Sequence, residues 1–219
     1  MIQIIPSLLV PDQKTFLKCI NGLDNSVNQV QIDIADGIFV QNKTWSDPEI
    51  TKQNLKIDCE LHLMVSDPLN EAKKWQNVPQ VKKILVHFET IADSIETTLP
   101  ELLNLGWKVG LVLNPETQNH VLEPYLTSIT DVMFMGVNPG KQGNPFVPEV
   151  LAKIKAFKAA NPTHFVELDG AVNENTLPEI IKSGVDAVCP GSAIFGNERS
   201  PSENVERMKE MIERLTVKR

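Results

Sequence analysis

Carboxylates and imidazoles recur in this sequence at the ends of short aliphatic runs. Asp33 ends a run that begins at Gln29, His62 and Met64 close one that begins at Cys59, His87 follows Ile84-Leu85-Val86, and Asp169 ends Phe165-Val166-Glu167-Leu168. Ser7, Asn114, the Asn138-Pro139-Gly140 turn, Gly170 and the pair Gly191-Ser192 close the others. Side chains two apart on a strand share a face, so Gln31 falls with Asp33, His62 with Met64, and Glu167 with Asp169. Brought to one pocket, such groups transfer protons or ligate a cation. One of them alone carries little, because caps and turns also recruit Asp, Asn and Ser. A whole series of strand ends carries more. The alternatives at this point are turn caps for Asp33 and Asp169, a neutral core histidine for His62, and for His87 either support of the site or a partner within the core.

The elements that must hold these groups are legible as an alternation. Strand-like runs at residues 2–8, 29–34, 59–64, 84–87, 109–113, 132–137, 165–169 and 187–189 are separated by helix-like segments, with a repeat of about 27 residues and no linker. Strands that alternate with helices pair in parallel. Helix starts are marked at Asp47-Pro48-Glu49 and Asp67-Pro68, where a capping carboxylate precedes a proline at the first helical position. Ser200-Pro201-Ser202-Glu203 reads as a capping box, and Val205, Met208, Ile212 and Leu215 then recur on one helical face. Eight strand–helix pairs predict an α/β fold, a single-domain (β/α)8 TIM barrel over residues 1–219, with its site at the C-terminal ends of the strands. A doubly wound open sheet fits less well, since no GxGxxG follows the first strand and the eighth strand would be surplus.

Composition narrows the function classes. Lys and Arg number 21 against 28 Asp and Glu, a net charge of −7, which argues against a nucleic-acid partner. No stretch approaches the roughly 18 uninterrupted apolar residues of a membrane span, and the first residues lack a signal-peptide pattern, so a cytoplasmic protein with no membrane partner is expected. Cys19, Cys59 and Cys189 are odd in number and far apart, as reduced core thiols would be.

Taken in order, these motifs form a pattern. Ile5-Pro6-Ser7-Leu8-Leu9, Asp33-Ile34-Ala35-Asp36-Gly37 with Phe39-Val40, His62-Leu63-Met64, Val86-His87, Leu113-Asn114-Pro115, Met135 with Val137-Asn138-Pro139-Gly140, Glu167-Leu168-Asp169-Gly170, and Gly191-Ser192-Ala193-Ile194-Phe195-Gly196 run in the order and spacing of a known family. The chain resembles the ribulose-phosphate 3-epimerase family from end to end. That resemblance implies a barrel isomerase of the pentose phosphate pathway that binds a phosphorylated ketose and a divalent cation (Zn, Fe, Mn, Co or Mg), with a homo-oligomer as the expected assembly. Asp33 and Asp169 are then acid and base as well as metal ligands, and His62 is a third ligand. Gln31 stands where the family has the fourth, a histidine, so Gln31 is provisional in that role, with a hydrogen bond to substrate or to Asp33 as the alternative, and a weakened site, a harder metal or no metal is expected. Ser7, His62, Met64 and Met135 would contact substrate, and Gly140, Gly143, Gly170, Gly191 and Ser192 its phosphate.

Other departures bear on the same site. Ala35 replaces a family methionine, Gly140-Lys141-Gln142-Gly143-Asn144 replaces a glycine-rich loop, and Ala171 replaces the second glycine of an Asp-Gly-Gly turn, tolerable only at negative φ. Lys141 is expected in solvent, Asp36 in a turn, and His120 and His164 in surface or packing positions. The leading expectation is interconversion of ribulose 5-phosphate and xylulose 5-phosphate. Ala35, Gly136 and the altered loop raise a hexulose phosphate such as allulose 6-phosphate as an alternative substrate. Gln31 raises a sugar-phosphate-binding protein with weak or no catalysis. An orotidine-phosphate decarboxylase would need an Asp-x-Lys-x-x-Asp array, which the sequence does not contain.

Overall fold

The computed structural model describes residues 2–139 and 143–217. Nine parallel strands alternate with helices: β1 (Gln3–Ile4), β2 (Ser7–Leu8), β3 (Gln29–Ala35), β4 (Asp58–Met64), β5 (Val81–His87), β6 (Lys108–Leu113), β7 (Asp131–Met135), β8 (Phe165–Asp169) and β9 (Ala187–Cys189). Their order is β1-β9-β8-β7-β6-β5-β4-β3-β2. The two end strands are halves of one N-terminal stretch, divided at Pro6, which has no N–H to give a ladder. On one side that stretch donates from Ile5 N–H to Val188 O and from Ser7 N–H to Pro190 O; on the other, Pro6 O accepts from Gln31 N–H. The sheet therefore returns onto itself as a barrel of eight staves, the expected first strand being one stave in two pieces.

The helices begin where the sequence marks them. Asp47 Oδ1 accepts from Ile50 N–H at 2.9 Å to open α2 (Pro48–Asn54), and Asp67 Oδ1 accepts from Asn70 N–H at 3.0 Å to open α3 (Pro68–Lys74). They follow α1 (Gln13–Gly22) and precede α4 (Phe88–Ile91), α5 (Ile95–Leu103), α6 (Glu149–Ala160), α7 (Leu177–Lys182), α8 (Ser192–Phe195) and α9 (Pro201–Val217). No helix among the described residues is long and apolar enough to cross a membrane.

Alternation along each strand makes two interiors. Ile32, Leu61, Val86, Leu111, Phe134 and Leu168 point outward into the main core beneath the helices, where α9 adds Val205, Met208 and Ile212 with Leu215 half-buried beside them. Inside the barrel a smaller apolar layer of Ile5, Leu85, Val112, Met133, Met135, Ala187 and Cys189 alternates with buried polar side chains. The layer closes tightly on Gly110, where a Cβ would lie 2.7 Å from Leu85 Cδ2 and 3.1 Å from the Asp131 carbonyl oxygen. Two strand limits differ from expectation by more than one residue. β7 stops at Met135 rather than 137, and β5 starts at Val81 rather than 84, because Lys83 turns inward to buried carboxylates.

Candidate active site

The inward positions of β3, β4 and β8 carry Gln31, Asp33, His62 and Asp169 to the C-terminal end of the barrel. Asp33 and His62 are register partners on adjacent strands, and Asp169 reaches the same point from β8. His62 Nδ1 lies 3.0 Å from Asp33 Oδ1 and 3.3 Å from Asp169 Oδ2. Gln31 Nε2 donates to Asp33 Oδ1 at 2.8 Å and to Asp169 Oδ2 at 2.9 Å, and stands 3.3 Å from His62 Nδ1. Four side chains thus aim one atom each at a common point.

Such spacing is that of a coordination shell. A cation with bonds of about 2.1 Å keeps neighbouring donors roughly 3.0–3.4 Å apart, and the carboxylate, imidazole and carboxylate of Asp33, His62 and Asp169 are donors it accepts. These three fit a divalent ion. Gln31 differs from the provisional ligand role in that its amide nitrogen, not its oxygen, faces the carboxylates. Its Oε1 is left buried with no hydrogen-bond partner. A half-turn of the amide exchanges the two ends and supplies an oxygen as the fourth donor.

Burial and the neighbouring charge of Asp169 push the Asp33 carboxyl up, against the hydrogen bonds from His62 and Gln31. For His62, burial disfavours the charged ring, but hydrogen bonds and charge from Asp169 and Asp33 outweigh it and raise the imidazole to about 10. His87 Nε2 lies 2.9 Å from His62 Nε2, and burial above all holds His87 down at about 4. His87 touches His62 from below the site.

Above these groups opens a cavity of about 390 Å³. Ser7, Asp33, Met64, Met135, Gly143, Asp169, Gly170, Gly191 and Ser192 all line it. His62 does not; it is fully buried beneath the carboxylates and reaches the cavity only through them. Gly140 and Lys141 lie outside the described residues. Gly136 lends the cavity no room, since its Cα is pressed against the Gly170 carbonyl, 2.6 Å from where a Cβ would sit. Ala35 is buried against Val40 and Met64. Asp36 is a turn residue, accepting from Ile38 and Phe39 N–H and from Ser66.

One expectation is overturned. Ala171 has φ +54°, not a negative value. Its carbonyl accepts from Thr176 Oγ1 at 2.7 Å and from Asn173 Nδ2 at 2.9 Å, and this clamp holds the residue left-handed against a cost of about 1–2 kcal/mol. Gly170 beside it, at φ +104°, leaves no space for a side chain next to Val137. Asn173 and Thr176 also line the cavity and were not singled out from the sequence; the Asn-x-x-Thr spacing of a side-chain-capped turn is the signal that marks them. Glu89, whose Oε2 lies 3.4 Å from His87 Nδ1, was likewise missed.

Comparisons with known proteins fit this geometry. The model of the ribulose-phosphate 3 epimerase family matches residues 3–195. The chain is 31% identical over 202 residues to the ribulose-phosphate 3-epimerase of Synechocystis sp., covering 89% of this chain and 87% of that one. It is 33% identical over 200 residues to the enzyme of that name from Helicobacter pylori, covering 88% and 90%. Among solved structures, KGPDC from Streptococcus mutans superposes with a TM-score of 0.76 at 12% identity, covering 98% of both chains. Orotidine 5'-monophosphate decarboxylase from Methanocaldococcus jannaschii, complexed with the inhibitor BMP, gives 0.66 at 16% identity, covering 97% and 99%. At those identities the likeness is one of fold.

Proposed function

The chain belongs to the ribulose-phosphate 3-epimerase family, and from that premise we propose that it interconverts D-ribulose 5-phosphate and D-xylulose 5-phosphate by proton transfer at C3. The observation that carries the proposal is the pairing of Asp33 and Asp169, which arise on separate staves, line one cavity, and are bridged by a single amide nitrogen. Inverting a carbon next to a carbonyl requires removal of its proton on one face and delivery of another on the opposite face. Two carboxyl groups do this when one is ionised and one protonated. Toward one epimer one carboxyl group of the pair is the base and the other the acid. The return reaction exchanges their roles.

Between the two transfers the substrate is an enediolate. A divalent cation, when bound, supplies Lewis-acid stabilisation of the negative charge on its oxygens. Asp33, His62 and Asp169 would hold that ion, with Gln31 as a fourth ligand in the turned orientation; a carboxamide oxygen suits Mg²⁺ or Mn²⁺ better than it suits Zn²⁺ or Fe²⁺. Met64 and Met135 form apolar wall beside the reacting carbons, and Ser7 faces the same space. The turns at Gly143, at Gly170-Ala171 and at Gly191-Ser192 offer the phosphate backbone N–H groups. The mouth of the barrel is where such a site belongs.

The test is exchange of the C3 proton of ribulose 5-phosphate with deuterated water. Asp33→Asn and Asp169→Asn should each slow it by about 10²–10⁴-fold. Exchange in the wild-type protein no faster than in these variants would sink the assignment and leave a sugar-phosphate-binding protein, a reading favoured only by the Gln31 amide N–H groups pinned between the carboxylates. Gly136 gives no support to a larger hexulose substrate.

A further inference from the structure

We propose that Glu89, acting through His87, is a positioning residue that fixes the tautomer of His62 and turns its Nδ1 lone pair toward Asp33 and Asp169. The proposal deepens the reading of these three side chains as a cation site and rests on it.

The five side chains form one line from the cavity floor outward. His62 Nδ1 faces the two carboxylates at 3.0 and 3.3 Å, and its other nitrogen, Nε2, is 2.9 Å from His87 Nε2. The two rings lie nearly parallel, at 23°, with centroids 5.1 Å apart. Phe39 packs on His87 from another side, its ring centroid 4.9 Å away. His87 Nδ1 then faces Glu89 Oε2 at 3.4 Å, and among the described residues neither atom has a hydrogen-bond partner elsewhere. A buried donor and a buried acceptor left without other partners complete each other. Glu89 is itself held, because its Oε1 accepts from Asn114 N–H at 2.9 Å and from Thr117 Oγ1 at 2.5 Å.

Only one arrangement of protons satisfies this line with a carboxylate at its end. A carboxylate accepts and cannot donate, so His87 carries its proton on Nδ1. His87 Nε2 is then an acceptor, and His62 must place its proton on Nε2 to meet it. A cation entering between Asp33 and Asp169 displaces the second proton that these carboxylates otherwise hold on His62, and the lone pair is then left on Nδ1, at the corner where the ion would sit. Carboxylates and carbonyls behind a ligating histidine orient it in this way in metal sites generally.

Glu89→Gln reverses the line without changing its shape. The introduced carboxamide would keep its oxygen on Asn114 N–H, so its NH₂ would face His87 Nδ1 and force that atom to accept. The His87 proton moves to Nε2, and His62 must carry its proton on Nδ1, where it opposes a cation. Long-range ¹H–¹⁵N correlation spectra of ¹⁵N-labelled, metal-stripped protein at neutral pH read the His87 tautomer directly. The expected result is a proton on Nδ1 in the wild-type protein and in Glu89→Asp, and on Nε2 in Glu89→Gln. Zn²⁺ titration by calorimetry should show a loss of about 10–100-fold in affinity for Glu89→Gln. A wild-type His87 protonated on Nε2 overturns the proposal without any variant being made. So does a Glu89→Gln protein whose Zn²⁺ affinity is unchanged although the tautomer has reversed. If the wild-type protein takes up no Zn²⁺, the cation-site reading fails instead, and the His87 spectrum still shows whether Glu89 sets the direction of the line.

Discussion

A single amide decides what the centre of this site can hold. Gln31 places its NH₂ where a histidine of the family would place a ligating nitrogen, and it satisfies both carboxylates with neutral N–H groups. Turned over, it offers oxygen instead, a weaker donor to borderline metals than imidazole. Gln31→His should therefore raise Zn²⁺ affinity by about tenfold or more, the scale on which zinc sites answer to their ligand surroundings, as measured by competition with a chelating dye. No gain would mean that position 31 does not face the ion. Asp33, His62 and Asp169 are legible from the sequence because a period of two from a strand end determines both face and height. The end of the Gln31 amide that points inward is not legible, since it depends on three neighbours, two of them on other strands. Glu89 is hidden for a related reason: it comes from α4, just past the end of β5, where no periodicity ties it to His87.

Local chemistry governs the elements in the same way, where it is local. The α9 capping box forms as the residue types dictate: Glu203 N–H donates to Ser200 Oγ at 3.2 Å, and Ser200 N–H donates to Glu203 Oε2 at 2.9 Å. Ser200→Ala should cost about 1 kcal/mol and lower the melting temperature by about 2–4 °C, readable by calorimetric or circular-dichroism melting. An unchanged melting temperature would show that packing of Val205, Met208 and Ile212 alone determines where the helix starts. Where an element depends on distant groups, sequence patterns fall short. The expected strand starts only at residue 84, yet Lys83 is an interior strand residue, buried because acids from β4, β7 and β8 meet it. Ala171 reads as a residue that must avoid positive φ, yet Asn173 and Thr176 hold it there.

Across the whole barrel, the interior has two polar storeys with the apolar layer of Leu85, Val112 and Met133 between them. The upper storey is the candidate site. In the lower one, Lys83 Nζ lies 3.0 Å from both Glu60 Oε2 and Asp131 Oδ1 and pairs also with Glu167, while Gln29 Nε2 donates to Glu60 at 2.6 Å. Three carboxylates surround one ammonium in a region closed to water, so one of them is better off protonated. Burial first, and then the charge of Glu167, push Glu60 well above the usual carboxylate range. A carboxyl with a raised folded pKa favours folding fully only below its unfolded value near 4.5, and that contribution is lost as pH rises toward the folded value. Glu60→Gln keeps the shape and removes the titration. Its stability relative to the wild-type protein should therefore climb with pH above about 4.5, by up to about 1.4 kcal/mol per pH unit, in melts taken from pH 4 to 8. Lys83→Met, which leaves the acids without their cation, should cost about 3–5 kcal/mol. A pH-independent difference between Glu60→Gln and wild type would mean that Glu60 is ionised in the folded barrel and that Lys83 alone balances all three acids.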